Sequence, residues 1–189
     1  MIVSISGKPG SGKSTVAKKL AAALGFKRYY IGGMRREAAR AQGMTLADFN
    51  KLGEESNITD KKFDDYCRQL GEQEDDFVIE SRTAFLFIPH SLKIYLGVSD
   101  EVGAQRIWQA IQSGHQPNRN EDISLDGYEK VLISIKERVQ SDKIRYRKYY
   151  DVDIFDKKHY DLFLDTSSMN AAEEYEKVYS FVKLASSKS

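Results

Sequence analysis

The fold of this chain follows from one stretch near its N-terminus, Gly7-Lys8-Pro9-Gly10-Ser11-Gly12-Lys13-Ser14. The stretch fits the pattern G-x-x-x-x-G-K-[ST]. Apolar residues at 2–5 predict a strand before it, and the run at 15–24 predicts a helix after it. A glycine-rich loop in this position aims its backbone N–H groups at phosphate oxygens, and the helix N-terminus adds a partial positive charge. The stretch therefore predicts a phosphate-binding loop.

The same loop predicts which residues hold a nucleoside triphosphate. Lys13 is long enough to reach the β- and γ-phosphates, and Ser14 offers a hydroxyl to Mg²⁺. The alternative, a glycine-rich turn that arose by chance, does not account for a complete motif between a strand and a helix. We expect the triphosphate to contact Gly7, Pro9, Gly10, Ser11, Gly12, Lys13, Ser14 and Thr15.

Composition limits the class of protein. Hydrophobic residues make up 41% of the 189 residues, which is enough for the core of one compact domain. A net charge of +1 argues against a surface dedicated to nucleic acid. The sequence shows neither a signal peptide nor the run of about 18 apolar residues that a membrane helix needs. The single cysteine, Cys67, fits a reducing compartment. We expect a cytoplasmic monomer that binds neither nucleic acid nor a membrane.

Predicted strands alternate with predicted helices along the chain. The strands lie at about 2–6, 26–31, 77–80, 92–96 and 160–164, and Gly32 and Gly33 end the second one. This alternation predicts an α/β fold of the P-loop NTPase type, with a parallel five-stranded sheet and helices on both faces. We expect one domain with its core at 1–31, 76–112 and 151–189. Two polar helical insertions complete it, an acceptor lobe at 32–75 and a lid at 113–150.

A phosphotransferase needs positive charge around the phosphoryl group that it transfers. Arginine suits this role because it is always charged and binds phosphate with two parallel N–H groups, and four arginines of the chain are candidates. Arg36 lies in the helix after the second strand, and Arg82 follows the third strand at the edge where such sheets bind ligands. Arg138 and Arg145 are seven residues apart and share one helix face, and Asp142 is spaced to pair with both. Each could be a solvated surface charge, but together they predict an acceptor-phosphate site and a lid.

The segment at 29–36 contains no acidic residue. A hydroxyl acceptor needs a nearby carboxylate to take its proton, whereas a phosphate monoester is already close to a dianion at pH 7. The residues therefore favour a nucleoside monophosphate acceptor. Two alternatives stay open: a kinase of a small hydroxylated metabolite with Glu80 or Asp64 as the base, and a nucleotide-binding switch or sensor that hydrolyses slowly.

Four ordered segments resemble the cytidylate kinase family, in particular its short archaeal-type branch. The first is the phosphate-binding loop, and the second runs from Gly32-Gly33-Met34-Arg35-Arg36-Glu37 into Gly43-Met44-Thr45-Leu46-Ala47-Asp48-Phe49-Asn50. The third is Val78-Ile79-Glu80-Ser81-Arg82, and the fourth is the predicted lid helix around Arg138 and Arg145. Three positions depart from the family pattern: Gly33 replaces an acid, and Ser81 and Asp151 each replace a glycine. Extra residues also lie at 113–124.

The resemblance implies transfer of the γ-phosphoryl group of ATP to CMP or dCMP, with Mg²⁺ as the cofactor. Lys13 and Ser14 would then serve ATP and the metal ion. Gly32, Arg36 and Arg82 would bind the monophosphate, and Arg138 and Arg145 would close over the transferring group. An acceptor of another base, AMP or UMP, is the nearest alternative, because base selection lies in the lobe around Gly33.

Overall fold

The computed structural model describes residues 1–114 and 125–187. Its centre is a five-stranded parallel sheet in the order β2-β3-β1-β4-β5. The strands are β1 (Ile2–Gly7), β2 (Lys27–Tyr30), β3 (Phe77–Glu80), β4 (Leu92–Gly97) and β5 (Leu162–Asp165). The predicted α/β fold with a five-stranded parallel sheet is confirmed.

Helices connect the strands and extend the fold. They are α1 (Lys13–Leu24), α2 (Ile31–Ala41), α3 (Leu46–Glu55), α4 (Ile58–Gln73), α5 (Ala84–Phe87), α6 (Asp100–Gln112), α7 (Tyr128–Tyr150) and α8 (Ala171–Ser186), with a 3-10 turn at Lys157–His159. None of the helices in the described parts of the chain is long and apolar enough to cross a membrane.

Both faces of the sheet are covered. On one face α1 and α8 pack Leu20 and Val178 against Val3 and other apolar side chains of the strands. On the other face α2 and α4 bury Phe63 among a second apolar group that includes Ile79. Because both faces of the sheet are covered, every residue of the central strands β1 and β3 is buried.

The predicted lobe and lid pack directly against each other. The Lys148 ammonium of α7 donates to the Glu54 carbonyl oxygen of α3 at 2.7 Å, and the Tyr149 hydroxyl donates to the same oxygen at 3.2 Å. The two contacts satisfy a carbonyl at the C-terminal end of α3, where helices leave carbonyls without intrahelical partners. Helix α7 therefore closes one side of the lobe.

Some predicted boundaries are wrong. Helix α2 begins at Ile31, so Gly32 and Gly33 lie in its first turn instead of separating strand from helix. Neither glycine has positive φ, so the backbone continues as a helix through both. The short helix α5 was not predicted, because four residues carry no helical periodicity. Most of the extra residues predicted at 113–124 lie outside the described part of the chain.

Candidate active site

The phosphate-binding loop requires glycine for two separate reasons. Gly7, Gly10 and Gly12 have φ of 143°, 77° and 80°, a region that L side chains rarely adopt. Space is also short, because a Cβ on Gly10 would lie 2.4 Å from the carbonyl oxygen of Gly103 in α6. The loop is thus held tightly between β1 and α6, with its backbone turned as the motif predicts.

Lys13 lies across this loop. Its Nζ donates to the Lys8 carbonyl oxygen at 2.5 Å and to the Ser11 hydroxyl at 3.3 Å. Ser11 is fully buried, so the surrounding residues hold this part of the loop, which the Lys13 ammonium contacts, in place. A phosphate entering the loop would compete with these neutral oxygens for Lys13, and an ionised acceptor makes the stronger hydrogen bond.

One pocket brings the predicted donor and acceptor residues together. It lies between the phosphate-binding loop, the start of α2, the end of β3 and one face of α7. The predicted residues that line it are Pro9, Gly10, Lys13, Ser14, Gly32, Arg36, Arg82, Arg138 and Arg145. Gly7, Ser11, Gly12 and Thr15 lie outside this wall; Gly7 and Ser11 belong to the body of the loop, and the other two line a second pocket behind it.

Arg82 is held from two sides in the pocket wall. Its Nε donates to Asp142 Oδ2 at 2.8 Å, and a terminal nitrogen donates to the Gly7 carbonyl oxygen. Burial raises the pKa of the Asp142 carboxyl, but the charges of Arg82 and Arg145 outweigh it and hold that pKa below its usual range. Asp142 therefore stays ionised and ties α7 to the phosphate-binding loop through Arg82.

Alternating charges continue from Asp142 into the acceptor lobe. Arg145, which is 1% exposed, pairs with Asp142 at 2.5 Å and with Asp60 of α4 at 2.5 Å. Arg35 of α2 then pairs with the same Asp60 oxygen at 2.7 Å. We call Arg82, Asp142, Arg145, Asp60 and Arg35 the charge chain. The pairing of Asp142 with Arg145 was predicted from their spacing; the chain's continuation to Arg82 and Asp60 was not.

The segment at 29–36 contains no acidic residue, but other parts of the chain bring carboxylates to the pocket. The pocket is lined by four carboxylates, Asp60, Asp64, Glu80 and Asp142, none of which belongs to the segment at 29–36. The sequence had indicated Glu80 and Asp64 as candidate bases, and Asp60 lies four residues before Asp64 on the same buried face of α4. The arginines of the pocket, and not an absence of acidic residues, are therefore the feature that supports a monophosphate acceptor.

The two carboxylates outside the charge chain, Asp64 and Glu80, have hydrogen-bond donors of their own. Burial raises the pKa of Asp64 to about 6, although hydrogen bonds from Thr83 and Tyr150 lower it. Glu80 accepts from Arg28 at 2.5 Å through Oε1. Among the described residues, its buried Oε2 has no hydrogen-bond partner. Glu80 thus lines the pocket and has one buried carboxylate oxygen without a hydrogen-bond partner in the described part of the chain.

A second pocket, which the sequence did not reveal, lies on the other side of the phosphate-binding loop. It is lined by Gly10, Gly12, Thr15, Arg106, Ala110, Met169, Asn170, Ala171 and Glu174. Arg106 donates to the carbonyl oxygens of Thr166 and Met169, each at 2.7 Å, and pairs with Glu174 at 3.0 Å. This arginine joins α6, the segment after β5 and α8 around a cavity that opens next to the loop.

Comparison with known proteins assigns the family. A family model described as an AAA domain matches residues 3–125. A cytidylate kinase of Natronomonas pharaonis is 37% identical over 172 residues, which cover 90% of this chain and 83% of the relative. A cytidylate kinase of Pyrococcus furiosus is 34% identical over 187 residues, which cover 98% and 88%. This chain belongs to the cytidylate kinase family. The resemblance of the four ordered segments is thereby confirmed.

As a member of the cytidylate kinase family, the chain is a nucleoside monophosphate kinase, an enzyme of phosphoryl transfer between nucleotides. The comparisons favour neither the kinase of a hydroxylated metabolite nor the slowly hydrolysing switch. Two solved structures share the fold. An uncharacterized protein from Eubacterium ventriosum superposes with a TM-score of 0.67 at 18% identity, covering 97% of this chain and 98% of its own. A shikimate kinase from Acinetobacter baumannii gives 0.59 at 16% identity, covering 97% and 93%.

Proposed function

We propose that this protein transfers the γ-phosphoryl group of ATP to CMP or dCMP. The observation that carries the proposal is the convergence of Arg36, Arg82 and Arg138 with Lys13 on one pocket. Cations from four separate parts of the chain meet there, which suits two phosphate groups that face each other. The relatives named cytidylate kinase supply the choice of base.

The donor side of the proposal uses the phosphate-binding loop and the pocket behind it. Lys13 would bind the β- and γ-phosphates, and the loop N–H groups would surround them. The adenine would lie in the second pocket, between Arg106 and the Met169–Asn170 turn, because that cavity opens directly beside Gly10. This arrangement directs the γ-phosphoryl group into the pocket that the arginines line.

The acceptor side uses Gly32, Arg36 and Arg82 for the monophosphate, with Arg138 and Arg145 over the transferring group. A monophosphate is its own nucleophile and is almost fully ionised at neutral pH, so its transfer needs charge neutralisation and in-line positioning instead of a general base. The bonds from Arg82 to Asp142 and to the Gly7 carbonyl fix that guanidinium before substrate arrives, which removes part of the ordering cost of binding.

The residues in the pocket fit Mg²⁺, which prefers a few hard oxygen ligands together with phosphate oxygens. The Ser14 hydroxyl and the Glu80 carboxylate line the same pocket, and Glu80 Oε2 is buried without a hydrogen-bond partner in the described part of the chain. We propose that these two side chains hold the ion directly or through water. When bound, Mg²⁺ would neutralise charge on the β- and γ-phosphates.

An assay of ADP release tests the proposal. Equal concentrations of CMP, dCMP, UMP, AMP and GMP are compared with a reaction that contains ATP and Mg²⁺ alone. CMP and dCMP are expected to accelerate ADP release most strongly. Acceleration by AMP alone would overturn the assignment of cytidine, and no acceleration by any monophosphate would overturn the acceptor site itself. We also propose that the protein is cytoplasmic, which its single, buried and unpaired cysteine Cys67 supports. We propose that it is a monomer, and light scattering measures its mass.

A further inference from the structure

The first turn of α2 has an unusual composition that packing explains. Gly33 stands where the family pattern has an acid, and its φ is not positive, so the backbone does not demand glycine there. The space does demand it. A Cβ on Gly33 would lie 2.7 Å from Cδ1 and 2.9 Å from Cε1 of the Tyr30 ring. Tyr30 therefore occupies the room that a side chain at position 33 would need.

The Tyr30 side chain is placed directly on Arg36. The Arg36 guanidinium donates to the Tyr30 hydroxyl at 2.6 Å through Nη1, and the same nitrogen donates to the Gly32 carbonyl oxygen at 3.1 Å. The guanidinium of Arg36 lies at the hydroxyl end of the ring, 5.9 Å from its centroid, and the guanidinium of Arg28 lies 5.3 Å from the same centroid. Arg36 is 7% exposed, and the two hydrogen bonds hold one of its terminal nitrogens in place at the wall of the pocket.

A phenol suits this position better than a carboxylate would. It accepts a hydrogen bond from the guanidinium without itself adding negative charge beside the phosphate that Arg36 would bind. Tyr30 itself lines the pocket beside Gly32 and Arg36.

We propose that Tyr30 is a positioning residue for the acceptor phosphate: it holds Arg36 in the orientation that binds the monophosphate, and Gly33 is glycine to admit its ring. The inference rests on the proposed function, since it takes Arg36 as a ligand of that phosphate. Tyr30 and Gly33 therefore act as a pair in this chain.

The substitution Tyr30→Phe tests the hydroxyl while it keeps the ring. Loss of a hydrogen bond to a charged group predicts about a tenfold rise in KM for CMP. The KM for ATP is expected to stay within about twofold, and the inhibition constant of cytidine, which has no phosphate, is expected to stay unchanged. Gly33→Ala, which pushes the ring aside, should give the same selective rise. A packing defect alone would move all three constants together.

Tyr29→Phe is the matched control. Tyr29 is the neighbouring residue of β2, and its hydroxyl donates to Glu74 at 2.7 Å, away from the pocket. The control should leave the KM for CMP unchanged. Arg36→Ala distinguishes a failure of the proposed acceptor site from a failure of the proposed role of Tyr30. If Arg36→Ala leaves the KM for CMP unchanged, the proposed acceptor site fails. If Arg36→Ala raises it and Tyr30→Phe does not, the acceptor site stands and the positioning role of Tyr30 is overturned.

Discussion

Replacing Asp60 with asparagine should destabilise the protein strongly, because Asp60 is the buried acceptor of two arginines. Its Oδ1 accepts from Arg35 at 2.7 Å and from Arg145 at 2.5 Å, and the side chain is 3% exposed. Burial lowers the pKa of Arg145, but the surrounding negative groups, Asp142 and Asp60 among them, raise it above its usual value. Arg145 therefore stays charged in the variant, with one carboxylate fewer to compensate it.

Breaking a buried ion pair on one side costs about 3–5 kcal/mol. Asparagine keeps an oxygen that accepts a hydrogen bond, and Asp142 still pairs with Arg145. We therefore expect the lower end, about 3 kcal/mol of unfolding free energy, or about 1 M in the urea midpoint for a chain of this size. Unfolding followed by far-ultraviolet circular dichroism measures both.

Asp65→Asn is the control on the same helix. Asp65 is exposed and pairs with Lys61 and Arg68 on the surface of α4. Exposed pairs of this kind contribute about 0–1 kcal/mol. We therefore expect a large fall in the urea midpoint for Asp60→Asn and a small one for Asp65→Asn. Equal midpoints for the two variants would refute the claim that the charge chain holds the lobe against α7.

Three further predictions concern the loop, the lid and pH. Gly10→Ala should abolish ATP binding measured by calorimetry, because its Cβ would overlap the backbone of Gly103 in α6. Gly43 also has a positive φ but has open space around it, so Gly43→Ala should cost only about 1–2 kcal/mol of unfolding free energy in urea. ATP binding by the Gly10 variant would contradict this. Arg138→Ala should lower kcat by about 10²–10⁴ with the fold intact, as expected for a lost donor to the transition state; near-normal turnover would remove Arg138 from the site. Burial raises the pKa of Asp64 to about 6, so the folded protein takes up a proton between about pH 4 and 6 that the unfolded chain does not, and stability gained from this group rises as pH falls. Relative to Asp64→Asn, the wild type should gain about 1.4 kcal/mol between pH 7.5 and 5, and parallel changes in the two urea midpoints would contradict the raised pKa.

Features that depend on local sequence could be predicted from the sequence. The phosphate-binding loop requires residues that are adjacent in the chain, and the strands are marked by short apolar runs between polar segments. The pairing of Asp142 with Arg145 follows from helical spacing in the same way. These predictions need no knowledge of how distant segments meet.

Features that depend on distant segments could not be predicted. The sequence does not say that α4 lies against α7, so it gives no reason to pair Asp60 with Arg145. It does not say that the segment after β5 folds back beside α6, so the role of Arg106 in a second pocket stayed hidden. The prediction that Gly32 and Gly33 separate β2 from the next helix is wrong for a related reason. Glycine was taken as a helix breaker, whereas Gly33 lies in the first turn of α2 and leaves room for the Tyr30 ring.

The most direct test of the central claim follows the phosphoryl group itself. ATP labelled with ³²P at the γ-position is incubated with CMP, Mg²⁺ and the protein, and the products are separated by chromatography. The account predicts that the label appears in CDP, that dCMP likewise yields labelled dCDP, and that Lys13→Ala lowers both rates by several orders of magnitude. Label released only as inorganic phosphate, or carried by another monophosphate in preference to CMP, would contradict it.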